Sequence, residues 1–313
     1  LSRSGLIFGA SAYAIWGLFP VLMHALSPSG ALEITAHRAV WSLLVCTVIV
    51  TVIRGWQRLR AILSDRRTVR TLALAAMLIA ANWLIYVYAV VTDRVNSASL
   101  GYYITPLVVV ALGVLVLGER LRRMHMVAVA IATVAVLIIG FDLGGFPWIS
   151  LALAGTFGMY GLIKKRVGAS VDALTGLTVE TMVLAPFALA GLWWIHETGR
   201  QTFLTRGPEG TGLSHDLLLL STGIFTAGAL LLFSAGAARL PLNVTGLLQY
   251  IAPTMMFMLA VWHYDEPMSA ARWAGFGLVW VALALITADS WRARGGGSAA
   301  RRAARDARAQ AIE

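Results

Sequence analysis

The chain has 313 residues, 58% of them hydrophobic and 13% charged, with a net charge of +10 and a mean hydropathy of +0.76. A charged fraction near half the roughly 25% usual in soluble domains excludes a soluble globular protein, and the length is better spent on about ten membrane spans of roughly 20 residues. Cys46, the single cysteine, lies in an apolar run and excludes a disulfide framework or a cysteine-based metal site.

Apolar runs of spanning length fall at 5–26, 31–53, 71–91, 96–117, 125–140, 147–163, 171–195, 215–236, 243–263 and 271–288. The first contains Trp16, Pro20 and His24 and lacks a small-x-small cleavage pattern, so it reads as a membrane helix rather than a signal sequence. Tyr13 and Trp16 in span 1, with Tyr160 in span 6, offer aromatic walls for a pocket. Span 2 opens with Glu33 and His37 at i, i+4 spacing, clustered with His24 toward the outer end. A pH-sensitive group and ordinary solvated interface residues are the two readings there.

Arg38 lies seven steps into span 2, roughly 10 Å at 1.5 Å per residue, and Glu180 lies near the middle of span 7. Charges at such depth must be paired or hydrated. An Arg38–Glu180 ion pair is geometrically attractive, with Glu33 as the competing partner, either as a structural lock or as a proton or substrate site. In span 3, Asn82 and Trp83 sit too deep for an interfacial aromatic belt, and Asn82 shares a face with Tyr86. A cavity wall and an interhelical hydrogen bond are the alternatives for the Asn82 amide.

Spans 4 and 9 carry an internal repeat. Asn96, Leu100, Tyr103, Ile104, Pro106 and Glu119 recur as Asn243, Leu247, Tyr250, Ile251, Pro253 and Glu266 at a constant offset of 147. Pro106 and Pro253, each inside an apolar run, remove an amide donor beside Tyr102, Tyr103, Gln249 and Tyr250 and are expected to act as hinges in cavity-lining helices. Glu119 and Glu266 are expected to cap or orient a neighbouring helix. Ala128, Ala130, Ala132, Gly275 and Gly277 suit close packing of spans 5 and 10, or a homo-oligomer contact.

The basic residues orient the chain. Twenty fall on one side: Arg3, the loops after spans 2, 4 and 6, Arg239, and six arginines from Arg292 to Arg308. Arg94, Arg200, Arg206 and Arg272 fall on the other, which places both termini in the cytoplasm. Span 4 then runs inward and span 9 outward, so the two halves, residues 5–141 and 147–288, are inverted repeats of five helices. The tail, 289–313, reads as a disordered basic segment that meets anionic lipid rather than nucleic acid.

Zinc-helix, phosphate-loop and nucleophile-elbow motifs are lacking, and Ser214, His215 and Asp216 are read as loop neighbours without triad geometry. No catalytic residue, metal ligand or cofactor is expected, and the chain is not read as an enzyme.

The run from Ala12 to Gly17, the segment from Leu32 to Arg38, Asn82-Trp83, the run from Ser99 to Leu107, Gly118-Glu119-Arg120-Leu121 and the run from Leu247 to Thr254 together resemble the EamA family of the drug/metabolite transporter superfamily. The likeness extends to about Asp289. It implies an all-α polytopic membrane protein of ten transmembrane helices in two inverted EamA repeats, placed in the bacterial inner membrane. It also implies secondary transport of small metabolites or drugs through a central cavity. By that likeness Trp16, Asn82, Tyr86, Tyr102, Tyr103, Gln249 and Tyr250 are selected to line the cavity. Thr105 before Pro106 faces Ala252 before Pro253, so the pocket is expected to be asymmetric. The expected partners are a small-molecule substrate and the bilayer. The rival reading is a non-transporting scaffold or sensor that recruits a partner through its basic tail.

Overall fold

The computed structural model describes residues 2–117, 123–142, 146–167, 170–205, 212–237, 239–240, 248–285 and 288. Among these there are eleven helices and no strands: α1 (Arg3–Ala25), α2 (Ala31–Val52), α3 (Trp56–Ser64), α4 (Arg66–Val91), α5 (Val95–Leu117), α6 (Arg123–Asp142), α7 (Trp148–Val167), α8 (Ala173–Glu197), α9 (Gly212–Ala237), α10 (Ile251–Trp262) and α11 (Ala270–Leu285). A helix satisfies every internal peptide group within its own segment, as an environment without water requires. The chain is an integral membrane protein with an all-helical polytopic fold. Glu119, Asn243, Leu247 and the tail from Asp289 lie outside the described residues.

The outward face of α8 illustrates why the solvent is lipid. Phe187, Leu189, Trp193 and Trp194 point away from the protein and are half or more exposed, an apolar surface that water would not tolerate. Its inward face buries Thr175, Thr178, Glu180 and Thr181 instead. This inversion of the soluble pattern runs through α2 as well, where Leu44 and Val48 face out while His37 and Arg38 are buried.

The helices fall into two units, residues 1–109 with 147–267, and residues 110–146 with 268–313, each drawing on both halves of the sequence. In the first unit α2 packs on α8 and α9, α1 on α9 and α10, and α4 on α7. Glycines set the closest approaches. A Cβ on Gly223 of α9 would lie 2.7 Å from the Ser42 amide nitrogen of α2, and one on Gly236 would lie 2.7 Å from the Gly9 nitrogen of α1. In the second unit Gly275 of α11 meets Ile139 of α6, and Asp142 accepts hydrogen bonds from Ser269 Oγ (2.7 Å) and Arg272 Nε (2.8 Å). At Gly275, then, the small residue serves close packing of α11 on α6.

Helix α3 was not expected, because its arginine-rich segment reads as a cytoplasmic loop. It forms because Leu59 projects from one side of the short helix and is buried against Cys46, Val50 and Leu72, leaving the arginines in water.

Helix starts are capped by carboxylates. Asp65 accepts from the Arg67 amide and Thr68 Oγ1 at the start of α4, and Asp172 from the Thr175 amide (3.0 Å) and Thr175 Oγ1 (2.7 Å) at the start of α8. Burial pushes the Asp172 carboxyl upward, but the two bonds from Thr175 prevail and hold it below the ordinary range. A depressed folded-state value means that the cap contributes fully above the unfolded carboxyl's pKa of about 4 and is lost as the pH falls through the folded value. Asp172→Ala is expected to cost about 1 kcal/mol. Urea titration in detergent at neutral pH should show that loss, and the difference between variant and parent should shrink as the pH is lowered below about 4.

Candidate functional site

Arg38 and the aromatic residues around it form the most densely functional part of the interior. The Arg38 Nε donates to Thr226 Oγ1 of α9 at 2.8 Å, and its guanidinium carbon lies 4.8 Å from the ring centre of Phe19 and 4.2 Å from that of Trp83. Helices α1, α2, α4 and α9 thus converge on one cation. The local reason is Gly223, which lets α9 approach α2 closely enough for a side chain one turn further on to reach Arg38.

Asn82, one residue before Trp83, is wholly engaged. Its Nδ2 donates to the Leu153 carbonyl and to Thr156 Oγ1 of α7, both at 3.0 Å, while its Oδ1 accepts from Tyr102 OH at 3.1 Å. The interhelical hydrogen bond read for Asn82 from the sequence is present. The amide orients Tyr102, whose ring packs against Tyr86 (6.0 Å between centres) and edge-on against Phe157 (5.9 Å). Tyr86 is buried, and its hydroxyl has no hydrogen-bond partner among the described residues.

The Arg38–Glu180 pair does not form, and neither does the competing pair with Glu33. Glu180 binds Lys164 Nζ at 2.7 Å and accepts from Tyr160 OH at 3.1 Å. Lys164 had been counted among cytoplasmic loop charges, yet it sits in α7. There Phe157, Tyr160 and Lys164 share a helix face at i, i+3, i+7 spacing, and the flexible lysine stem carries its charge to the carboxylate. Tyr160 therefore belongs to an ion-pair cluster that adjoins the Arg38 site through Phe157, whose ring lies 6.1 Å from that of Tyr160.

Glu33 and His37 are not solvated interface residues. Both are buried, and Glu33 closes the N-terminal end of α2 by accepting from the amides of Thr202 (2.7 Å) and Phe203 (3.1 Å) and from Thr202 Oγ1 (3.0 Å). His37 accepts from Trp41 Nε1 at 3.0 Å and packs on Phe203. His215, in the first turns of α9 rather than in a loop, adds Nε2 contacts to Ser29 Oγ (2.8 Å) and Thr202 Oγ1 (3.0 Å). A buried polar seal thus pins residues 202–204 over the α2 and α9 ends.

The repeated prolines meet different fates. Pro106 lies inside α5, where it leaves the Tyr102 carbonyl without its helical donor, whereas Pro253 lies in the first turn of α10, after a turn at Gln249 and Tyr250. At that position no helical amide bond is forfeited. Ser99 Oγ donates to the Pro253 carbonyl at 2.8 Å, and Tyr103 OH pairs with Thr254 Oγ1 at 2.7 Å, so the two repeat segments are bonded to each other. Glu266 caps α5 by accepting from the amides of Val95 and Asn96. Gln249 and Tyr250 are half-buried beside this crossing. Trp16 forms an aromatic trio with Tyr13 (5.2 Å) and Phe233 (5.7 Å) and packs against the buried cluster that contains Phe19 and Tyr86.

The sequence was compared with families of known proteins. The model of the EamA-like transporter family matches twice, over residues 3–141 and 146–288. The chain belongs to the EamA-like transporter family.

Similarity to individual EamA proteins extends over most of the chain. It is 47% identical to protein RarD of Streptomyces exfoliatus, covering 93% of this chain and 90% of that protein. It is 42% identical to the uncharacterized transporter YojE of Bacillus subtilis, covering 91% and 94%. One solved crystal structure overlays with a TM-score of 0.59 at 20% identity, covering 93% of this chain and 99% of its own, a likeness of fold alone.

Within this EamA protein, sequence reasoning missed Phe19, Phe157, Lys164, Thr202 and Thr226 as members of the buried clusters. Phe157 and Lys164 carried a signal in their spacing with Tyr160. Thr226 carried none, since threonine is ordinary in membrane helices and only the crossing of α9 over α2 gives it meaning. Among the described residues, no group of three His, Cys, Asp or Glu side chains is placed to hold a metal ion.

Proposed function

We propose that this protein is a secondary transporter that exports small metabolites or drug-like solutes across the cytoplasmic membrane by alternating access. On this reading the halves are inverted, both termini are cytoplasmic, and motion is eased where Pro106 interrupts the backbone bonding of α5 and where Pro253 follows the turn that opens α10. The observation that carries it is the buried cluster of Arg38, Trp83, Tyr86 and Tyr102. Helices of both family-matched segments build it: α1, α2, α4 and α5 from the first, α7 and α9 from the second. A static bundle gains nothing from placing a cation and several hydroxyls there, whereas a solute path requires such groups.

Purified protein in liposomes should move at least one member of a panel of amino acids and antibiotic-like compounds. Asn82→Ala frees Tyr102 from its anchor and is expected to lower that flux about tenfold, the equivalent of one good buried hydrogen bond, while the variant still elutes as folded protein. Flux of a confirmed substrate that is unchanged in both Asn82→Ala and Tyr250→Ala would remove these residues from the path.

A further inference from the structure

Arg38 is buried about 10 Å along α2 and lacks a counter-ion among the described residues. The buried glutamates of α2 and α8 are committed elsewhere: Glu180 to Lys164, and Glu33 to the amides of Thr202 and Phe203. The Nε is used by Thr226, and the rings of Phe19 and Trp83 lie over the guanidinium. What is left is the edge bearing the two terminal nitrogens, whose four N–H groups have no acceptor among the described residues.

Such an arrangement is costly if it stays empty. Removing a cation from water costs several kcal/mol, and each aromatic contact returns only about 1–2 kcal/mol. The geometry of the free edge also selects what relieves the cost. A guanidinium presents parallel N–H groups that match the two oxygens of a carboxylate, a fit that a spherical ion does not reproduce.

A second observation points the same way. The Tyr86 hydroxyl is buried without a partner among the described residues, and Tyr86 lies one turn along α4 from Trp83, whose ring centre is 4.2 Å from the Arg38 guanidinium. Tyr102 has already given its hydroxyl to Asn82, so its ring and those of Phe19 and Trp83 offer flat apolar walls, while Tyr86 keeps a donor in hand. A cation edge, a spare hydroxyl and several aromatic faces describe the complement of a small organic acid.

We infer that Arg38 and Tyr86 form an anion-binding subsite that takes the carboxylate of a small organic acid, whose flat apolar body packs among Phe19, Trp83 and Tyr102. This rests on the transporter reading for its purpose, but binding itself needs no flux. The subsite makes carboxylic acids the substrate class to screen first.

The test uses the full chain in detergent, with formate, benzoate and phenylacetate as probes, benzamide as the uncharged counterpart of benzoate, and sodium chloride as the inorganic control. Thermal unfolding and intrinsic tryptophan fluorescence report binding. Benzoate or phenylacetate is expected to shift both readouts saturably, and benzamide to shift neither. Arg38→Lys keeps the charge but loses the fork, and is expected to weaken binding about tenfold or more. Tyr86→Phe, which removes a single oxygen, is expected to weaken it about fivefold.

Equal responses to benzoate and benzamide, a response reproduced in full by chloride, or no response to any of the three acids would each overturn the proposal. If Arg38 variants do not fold, the benzoate–benzamide comparison on the parent and the Tyr86→Phe titration still decide it. A protein that binds benzoate yet moves no solute in liposomes refutes the transport reading and keeps the subsite. One that moves a solute while ignoring carboxylates does the reverse.

Discussion

Gly223→Val is expected to destabilise the protein by about 3 kcal/mol or more and to disrupt the Arg38 site with it. A Cβ at this position would lie 2.5 Å from Trp41 Cβ and 2.7 Å from the Ser42 backbone nitrogen. The backbone atom cannot turn aside as a side-chain tip can, so α9 must move away from α2 as a body, and overpacking of this kind costs at the upper end of the usual 1–3 kcal/mol. The same displacement stretches the 2.8 Å bond from Arg38 Nε to Thr226, one turn along α9. Gly228 in the same helix supplies the control, because a Cβ there meets nothing within 4 Å. Gly228→Ala should be neutral or stabilising by up to about 1 kcal/mol. Thermal unfolding of the three proteins in detergent measures the contrast. Equal midpoints for Gly223→Val and the parent would mean that the α2–α9 approach is not as tight as described.

Glu33→Ala is expected to open the polar seal over the N-terminal end of α2. Its carboxylate accepts two backbone amides and a hydroxyl from residues 202 and 203, all within 3.1 Å. Removing it strands buried donors at about 1–3 kcal/mol each, so a loss of about 3 kcal/mol in local stability is expected. Hydrogen exchange of a peptide covering Thr202 and Phe203 should accelerate by about a hundredfold, since 1.4 kcal/mol corresponds to tenfold. Glu33→Gln, which keeps one acceptor oxygen, should fall between the two. Unchanged protection in Glu33→Ala would show that His215 and Asp216 hold the segment without help.

Several features were legible from residue order. The family was readable because its signature is spread over the chain and tied to helices whose apolar length admits little alternative. Individual partners were less so. Arg38 and Glu180 are counterparts in a plausible repeat alignment, yet a helix places a side chain within a narrow sector, and that sector of Glu180 faces α7, where Lys164 waits. Glu33 and His37 sit near a helix end, which from sequence reads as exposure, but the segment around Thr202 folds back over them. The repeat at offset 147 aligned Pro106 with Pro253 residue for residue and still could not say that one would lie within α5 and the other in the first turn of α10.

By itself the sequence determined that this protein lives in a membrane, that it is helical, that it resembles the EamA transporters, and that Arg38, Asn82 and Glu180 are too polar for their depth to go without partners. The family was read from the resemblance of particular segments and the rest from composition, period and depth, all of them properties of the chain alone. Tertiary structure decided who satisfies whom: Asn82 is an anchor for Tyr102, Glu180 answers Lys164, Glu33 holds the segment at Thr202 and Phe203, and Arg38 meets Thr226, Phe19 and Trp83. The physical reason is that hydrogen bonds and ion pairs in a low-dielectric interior form over about 3 Å, and residues as far apart in sequence as Arg38 and Thr226 come within that distance only when glycines let their helices touch.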